Sequence, residues 1–504
     1  MKILLNCALA LLLARFAGSA SAATTHYVDA NGTNPVSPFV DWNTAATNIQ
    51  DAINAAATND RILVTNGVYQ LSGYYPVAYV TKPLTLESVN GPSVTVIDGQ
   101  SFKQCVILVS GAAISGFTII NGNAASGAGI HCQQSDSLIT NCVIAGNTSF
   151  DTSQGGGGIY SGTAINCVIS NNTALHSGGG AFASTLINCT LAGNSARLNG
   201  GGAASDVAPV ALLNCVLTGN RAGYVGGGAA GGYLANCVLC GNYSSNYAGG
   251  ASSATLINCT VISNSSAMGP GGVYTSRIAN SILYYNSTPG ASDANYAGFT
   301  ISNSCTTPLP LGANNFTNVP LFVDIAAGDF HLQPGSPCIN AGNNASLNTF
   351  PFGIPGFLSI TNDPDAHLRV IGGTVDVGAY EFQSPASILS YAWLQQFGFP
   401  TDGSADFLDP DGDHMNNWQE WLAGTNPTNT ASVLRLLNPT RSGPNFTLSW
   451  QSVTNRTYSL LRSTNLSSFQ FVQANIPGQA NITTFTDTTA FGPGPFFYRV
   501  TTHP

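Results

Sequence analysis

Charge is scarce in this chain. Asp, Glu, Lys and Arg together make up 7% of its 504 residues, where an ordinary globular domain carries roughly a quarter. The 14 Lys and Arg are outnumbered by 23 Asp and Glu, for a net charge of -9, which argues against a nucleic-acid partner. Between residues 101 and 303 there is no glutamate. The ionisable side chains there reduce to Lys103, Asp136, Asp151, Arg197, Asp206, Arg221, Arg277 and Asp293, with His131 and His176. Glycoside hydrolysis needs a pair of neighbouring carboxylates, so this inventory leaves few places for a catalytic site. Long apolar runs are missing as well: beyond residue 22 no segment is long and apolar enough to span a bilayer, so no transmembrane segment is expected in the mature chain.

The first 22 residues read as an export signal. Lys2 supplies the positive start, Ile3 to Ala14 the apolar stretch, and Ala20-Ser21-Ala22 a small-residue cleavage site. Some 12 apolar residues are too few for a membrane anchor. The expected location is secreted or cell surface.

What is abundant is glycine, 56 residues, and it recurs with a period. Between residues 127 and 290 one unit repeats seven times: a glycine pair, then Asn-Cys, then an asparagine five residues after the cysteine. The cysteines of the first six units are Cys142, Cys167, Cys189, Cys215, Cys237 and Cys259, and Ser281 takes the place in the seventh. A fixed period in this range marks a solenoid in which each repeat is one coil. Residues two before, at and two after each cysteine, as in Ile187, Cys189 and Leu191, are expected to point inward. The later asparagines (Asn147, Asn172, Asn194, Asn220, Asn242, Asn264 and Asn286) are expected at a turn with positive φ, their amides bonding from coil to coil. Pairs such as Gly179-Gly180 and Gly201-Gly202 would open the next strand after a tight corner. Two longer spacings locate insertions, one within Thr148 to Gln154 and one around Asp206 to Val210, where a groove could be built.

An exported chain with 12 cysteines invites disulfides. The periodic six do not suit them: in-register strands lie about 4.8 Å apart, whereas a disulfide brings its Cβ atoms to about 3.8 Å. They read as free thiols packed as small hydrophobes. Cys105, Cys132, Cys240, Cys305 and Cys338 lie outside the ladder and could pair. No histidine cluster accompanies any of them, so no thiolate metal site is expected.

Before the coils, Trp42 to Ile53 has helical periodicity with Ala45, Ile49, Ala52 and Ile53 on one face, followed by a strand at Arg61 to Val64. Such a helix would cap the open end of a solenoid.

These repeats, written GGGAF and LAGN here, resemble those of polymorphic outer-membrane proteins and the right-handed parallel β-helix of the pectate-lyase-like superfamily. The stretch YVDANG…WNTAATNIQDAINAA…RILVTNGVY is similar to the N-terminal cap of secreted bacterial β-helix proteins. The resemblance covers most of residues 26–305. It implies extracellular work on or beside polysaccharide, in a superfamily that holds lyases, hydrolases, epimerases and non-catalytic adhesins alike. The Asn-Thr-Asp, Asp-Asp, His-Gly and Arg-Ile-Lys motifs of its pectin hydrolases are not found here. DFHLQPGSPCINAGN (329–343) and DPDAHLRVIGGTVDVGAYEF (363–382) resemble the choice-of-anchor module that ends many such proteins.

The most specific chemical motif is Asp409-Pro-Asp411-Gly-Asp413-His-Met415-Asn-Asn417-Trp-Gln-Glu420. Oxygens at positions 1, 3, 5 and 12, with a main-chain carbonyl at 7 and a water-mediated ligand at 9, suit a 12-residue calcium loop. The candidate ligands are Asp409, Asp411, Asp413, Met415 (through its carbonyl), Asn417 and Glu420, and Ca2+ is expected in a structural role. The motif is similar to dockerin-like and thrombospondin type 3-like repeats, with His414 departing from the glycine favoured at position 6. The alternation in Val433 to Thr502 resembles a fibronectin type III-like module.

The expected fold is therefore mainly β. A signal peptide (1–22) precedes an N-terminal cap with the first coils (23–98) and β-helix repeats (99–310). A C-terminal cap (311–383), a helical segment with the calcium loop (384–432) and a small β-sandwich (433–504) follow. The leading function is a non-catalytic protein binding glycans or neighbouring surfaces, with no catalytic residue assigned. The alternative is a polysaccharide lyase or glycoside hydrolase working near Asp151 and Asp206, where Asp151 could face His176 and Asp206 could face Arg221. Tyr160, Tyr224, Tyr233, Tyr247 and Tyr274 could stack on sugar rings.

Overall fold

The structure, a computed structural model, describes residues 23–503 except 207–209, 292–293, 299, 349–359, 444, 455 and 492–493. The export signal, Asp293 and most of the second insertion lie outside the described residues.

A parallel β-solenoid runs from Thr25 to Thr306. Each short strand pairs with its counterpart one coil on, so that Leu138, Thr163, Thr185, Ala211, Tyr233, Thr255 and Arg277 stand in one register column. The stacked strands form parallel sheets of 12, 11, 10 and 7 strands. Their inward side chains make one continuous apolar core, with Leu186, Cys189 and Leu191 in one coil and Leu256, Cys259 and Val261 in another.

Those triplets correct the expected phase. The residue three before each cysteine, not two, points inward: Leu186 is fully buried while Ile187 is half-exposed. The reason is Asn188, which takes φ 51. A single left-handed residue between two strands turns the corner and resets the two-residue alternation. The same holds at Asn141, Asn166, Asn214, Asn236, Asn258 and Asn280, with φ between 50 and 54.

The left-handed residue is therefore the asparagine beside the cysteine, and the asparagine five residues on does other work. Asn147, Asn172, Asn194, Asn220, Asn242, Asn264 and Asn286 are all fully buried. Each donates its amide to the next, at 2.9 Å for Asn220 to Asn242 and 3.0 Å for Asn194 to Asn220, and Asn286 donates to Asn295. From Asn172 on, Oδ1 also accepts the preceding asparagine's main-chain N–H, and that of Asn147 accepts from Gly122 N. The positive φ at that corner falls one residue earlier, on Gly193 and Gly219 among others. The glycine pairs answer to space: a Cβ on Gly180 would lie 2.6 Å from the carbonyl oxygen of Gly202 and 3.0 Å from Asn194.

The eleven described cysteines are free thiols. Cys237 and Cys240 have Cys-x-x-Cys spacing, but Cys237 sits in the solenoid core while Cys240 packs outside it, against the C-terminal segment.

At the N-terminal end the helix is shorter than its periodicity suggested. Asn48 accepts from Asp51 N and caps a helix of Ile49–Ala55, so Ala45 lies outside it, beyond a 3-10 turn at Trp42–Thr44. Ile49, Ala52 and Ile53 close the core.

The segment after the last coil folds back along the flank of the solenoid. Val377 and Ala379 pack on Ile262 and Ile282, and Val375 joins Ala235 and Ile257. Corner asparagines tie it down: Asn236 donates to Asn362 O (2.7 Å), Asn258 to Asp376 O (3.1 Å) and Asn280 to Asn343 O (3.0 Å). Two helices follow, Tyr391–Gln396 and Asn417–Ala423. The chain ends in two antiparallel three-stranded sheets packed around Leu448, Trp450, Tyr458 and Leu460.

Candidate functional site

The acidic motif forms a tight loop leading into the helix Asn417–Ala423. Two left-handed residues bend it, Gly412 at φ 78 and His414 at φ 76. Position 6 of the loop thus makes the sharp turn with a histidine. A reciprocal pair starts the helix: Asn416 accepts from Gln419 N and Gln419 accepts from Asn416 N, both at 2.9 Å. Gly424 ends it in the left-handed conformation.

The loop's own amides fix its carboxylates. Asp409 accepts from Gly412 N (2.8 Å) and His414 N (3.0 Å), Asp411 from Asp413 N (3.2 Å), and Asp413 from Met415 N (2.8 Å). Oxygens of Asp409, Asp411 and Asp413 come within 4.8 Å of one another. The second oxygens of Asp411 and Asp413 are buried without a partner, as are Oδ1 of Asn417 and Oε2 of Glu420. Glu420 stands outside the close triad, yet burial, and then Asp411, Asp413 and Asp409, push its carboxyl up to about 7. Unpaired buried oxygens are costly, and a hard divalent cation is the species that such an all-oxygen donor set suits. Met415 turns its sulfur away, accepting from Leu434 N at 3.3 Å, which leaves its carbonyl as the candidate ligand.

This helix is also a joint. Arg456 of the terminal β-domain donates to Trp421 O and Leu422 O, both at 3.0 Å, a cation at a helix C-terminus. On the other side Asp406 accepts from Ser387 Oγ (2.6 Å), and Ser387 O accepts from Asn340.

On the solenoid the expected pairings are partly rearranged. His176 lies 3.8 Å from Asp206. Asp151 is held by Ser153 through its N–H and Oγ, both at 2.7 Å, and still feels the charge of His176. Arg221 lies over the Tyr243 ring at 4.7 Å instead of meeting Asp206. Tyr160 stacks between His131 (4.9 Å) and Phe182 (5.8 Å), and Tyr247 on Tyr274 (4.8 Å). Tyr233 is partly covered by the C-terminal segment, so the five tyrosines make no single face.

Sequence reasoning passed over a buried charge cluster. Arg369, 1% exposed, donates to the carbonyls of Asp376, Gly378 and Ala379 (2.8–3.1 Å), with Asp363, Asp376 and Glu381 around it. Burial pushes Glu381 up to about 9 and Asp376 to about 7. Nearby, His331 bridges Asp329 and Asp365 at 2.6 Å each and is raised by both. The signal was available: in a chain so poor in charge, five charged residues fall between 363 and 381.

Set against known proteins, the chain matches no family model and no curated sequence.

Proposed function

We propose that this chain is a secreted or cell-surface β-solenoid that binds glycans or neighbouring surfaces without catalysis. A structural Ca2+ in the acidic loop fastens its terminal β-domain. The observation that carries the calcium is the set of four buried, unpartnered oxygens on Asp411, Asp413, Asn417 and Glu420. Asp409 and the Met415 carbonyl complete the donor set, and the ion removes the repulsion among the carboxylates. Because the helix bearing Glu420 holds Arg456, an ordered loop stiffens the link between solenoid and β-domain. A rigid rod with a fixed terminal module suits display and adhesion, and the export signal puts it where glycans are.

Calorimetric titration of the mature chain with CaCl2 tests the metal. The expected result is saturable binding, a melting temperature that falls in EDTA, and loss of both effects in Glu420→Gln. No heat of binding and an EDTA-insensitive melt would refute it.

One observation favours a second reading, a polysaccharide lyase or glycoside hydrolase: His176 beside Asp206 at an insertion. New chain ends released from a polysaccharide, and lost in Asp206→Asn and Asp151→Asn, would establish it.

A further inference from the structure

A cleft of about 550 Å³ opens where the end of the solenoid, the flanking segment, the two late helices and the β-domain come together. Its volume lies within the usual range for small-ligand sites, about 300–1,000 Å³. Its lining is unusual for this chain: two indoles, Trp393 and Trp421, and a set of amides that includes Asn318, Asn340, Asn343 and Asn344. No carboxylate lines it, and Arg456 is its one charged side chain.

The amides are positioned. Asn318, Asn343 and Asn344 are each held through one end by the protein and keep the other end available. Asn340 is fully buried in the wall and donates to Ser387 O at 2.8 Å. Asn344 accepts from Val375 N (2.8 Å) and Asn343 from Ala345 N (2.9 Å), both through Oδ1, so their NH2 groups remain. Asn318 donates to Gln395 at 3.4 Å and keeps its oxygen. The cleft thus offers two fixed donors and the Asn318 acceptor together, beside flat apolar rings. A ligand that fits must both donate and accept hydrogen bonds around an apolar face, which is the chemistry of a pyranose with its hydroxyl rim and C–H faces. The guanidinium of Arg456 is already committed to the Trp421 and Leu422 carbonyls, and no carboxylate is present to take a cation.

We propose that this amide-and-indole cleft binds a short, neutral oligosaccharide. The proposal rests on the reading that the protein binds glycans, and gives that reading a site and a ligand class.

The test is titration of the full mature chain with neutral and with uronic-acid oligosaccharides, followed by tryptophan fluorescence and calorimetry. Neutral sugars are expected to bind and to change the fluorescence, and uronates to bind at least tenfold more weakly. Trp393→Ala should weaken binding at least tenfold. Because Trp393 also packs on Phe397, the pair Asn318→Ala/Gln396→Ala, both exposed and both lining the cleft, serves as a second variant, expected to keep the wild-type melting temperature and lose binding. Equal or tighter uronate binding would overturn the ligand class. Retention on insoluble polysaccharide separates the remaining failures. If the exposed pair is retained like the wild type, glycan binding stands and the cleft is not its site. If the wild type is neither retained nor titrated, both readings fall.

Discussion

Replacing Asn220 with alanine isolates the buried ladder. Its side chain makes four hydrogen bonds: Oδ1 accepts from Asn194 N and Asn194 Nδ2, both at 3.0 Å, and Nδ2 donates to Leu191 O and Asn242 Oδ1, both at 2.9 Å. Alanine removes all four inside a fully buried position. The Asn194 main-chain N–H is then a buried donor with its partner gone, which costs about 1–3 kcal/mol, and each of the other bonds contributes about 0.5–1.5 kcal/mol net. The expected loss is about 2.5–7.5 kcal/mol. Asn214→Ala is the contrast. It is half-exposed with φ 52, bonding Asn188 at 3.2 Å and Asn236 at 3.0 Å. Water replaces the Asn188 bond, and the fully buried Asn236 amide keeps its bond to Asn362 O, so the main cost is alanine in a left-handed conformation, about 1–2 kcal/mol. Solenoids need not unfold in one step, so the assay pairs denaturant unfolding with native-state hydrogen exchange. Asn220→Ala should lower the midpoint further than Asn214→Ala and deprotect the Asn194 amide. Equal costs for the two variants, or an Asn194 amide that stays protected, would refute the ladder's energetic role.

Three further outcomes are expected. Gly180→Ala places a methyl 2.6 Å from the Gly202 carbonyl, so adjacent coils must part at a cost of about 1–3 kcal/mol; a melt like the wild type's would contradict this. Ellman's reagent should leave the core thiols untouched in the folded chain, label the half-buried Cys240 slowly, and reach the rest only in denaturant; fast native labelling of several thiols would contradict the packing. Around Arg369, Glu381 has a folded pKa near 9 against an unfolded value of about 4.3. Its protonated form is therefore stabilising below the unfolded value, and that stability is lost as pH climbs toward 9. Limited proteolysis of the 360–383 segment should accelerate between pH 5 and 9, and Glu381→Gln should flatten that dependence. A wild type cut at one rate across the range would remove the basis for it.

The solenoid was legible because its determinants are local and repeated. Asn-Cys every 22 to 26 residues, glycine pairs and a later asparagine specify one coil, and stacking does the rest. Phase is not legible in the same way: two strands meeting at a left-handed Asn188 look, in one dimension, like one alternating run, which points to Ile187 as core where the fold buries Leu186. The roles of the two asparagines are not separable for the same reason, since positive φ and burial leave the same letter. Of the acidic loop, the spacing carried the convergence of Asp409, Asp411 and Asp413, and the turn at His414 formed despite the missing glycine. The cleft could not be read at all. Asn318, Asn340, Trp393 and Trp421 are scattered over a hundred residues, and only the fold-back of the 360–383 segment and the docking of Arg456 bring them together.

The central claim is that this protein holds a glycan without cutting it. The most direct measurement incubates the mature chain with neutral and acidic polysaccharides, with and without calcium, and follows retention on the polymer and new chain ends in the same samples. Retention on at least one neutral polysaccharide with no new ends is the expected result. New ends that disappear in Asp206→Asn would contradict it and make the solenoid face at His176 an active site.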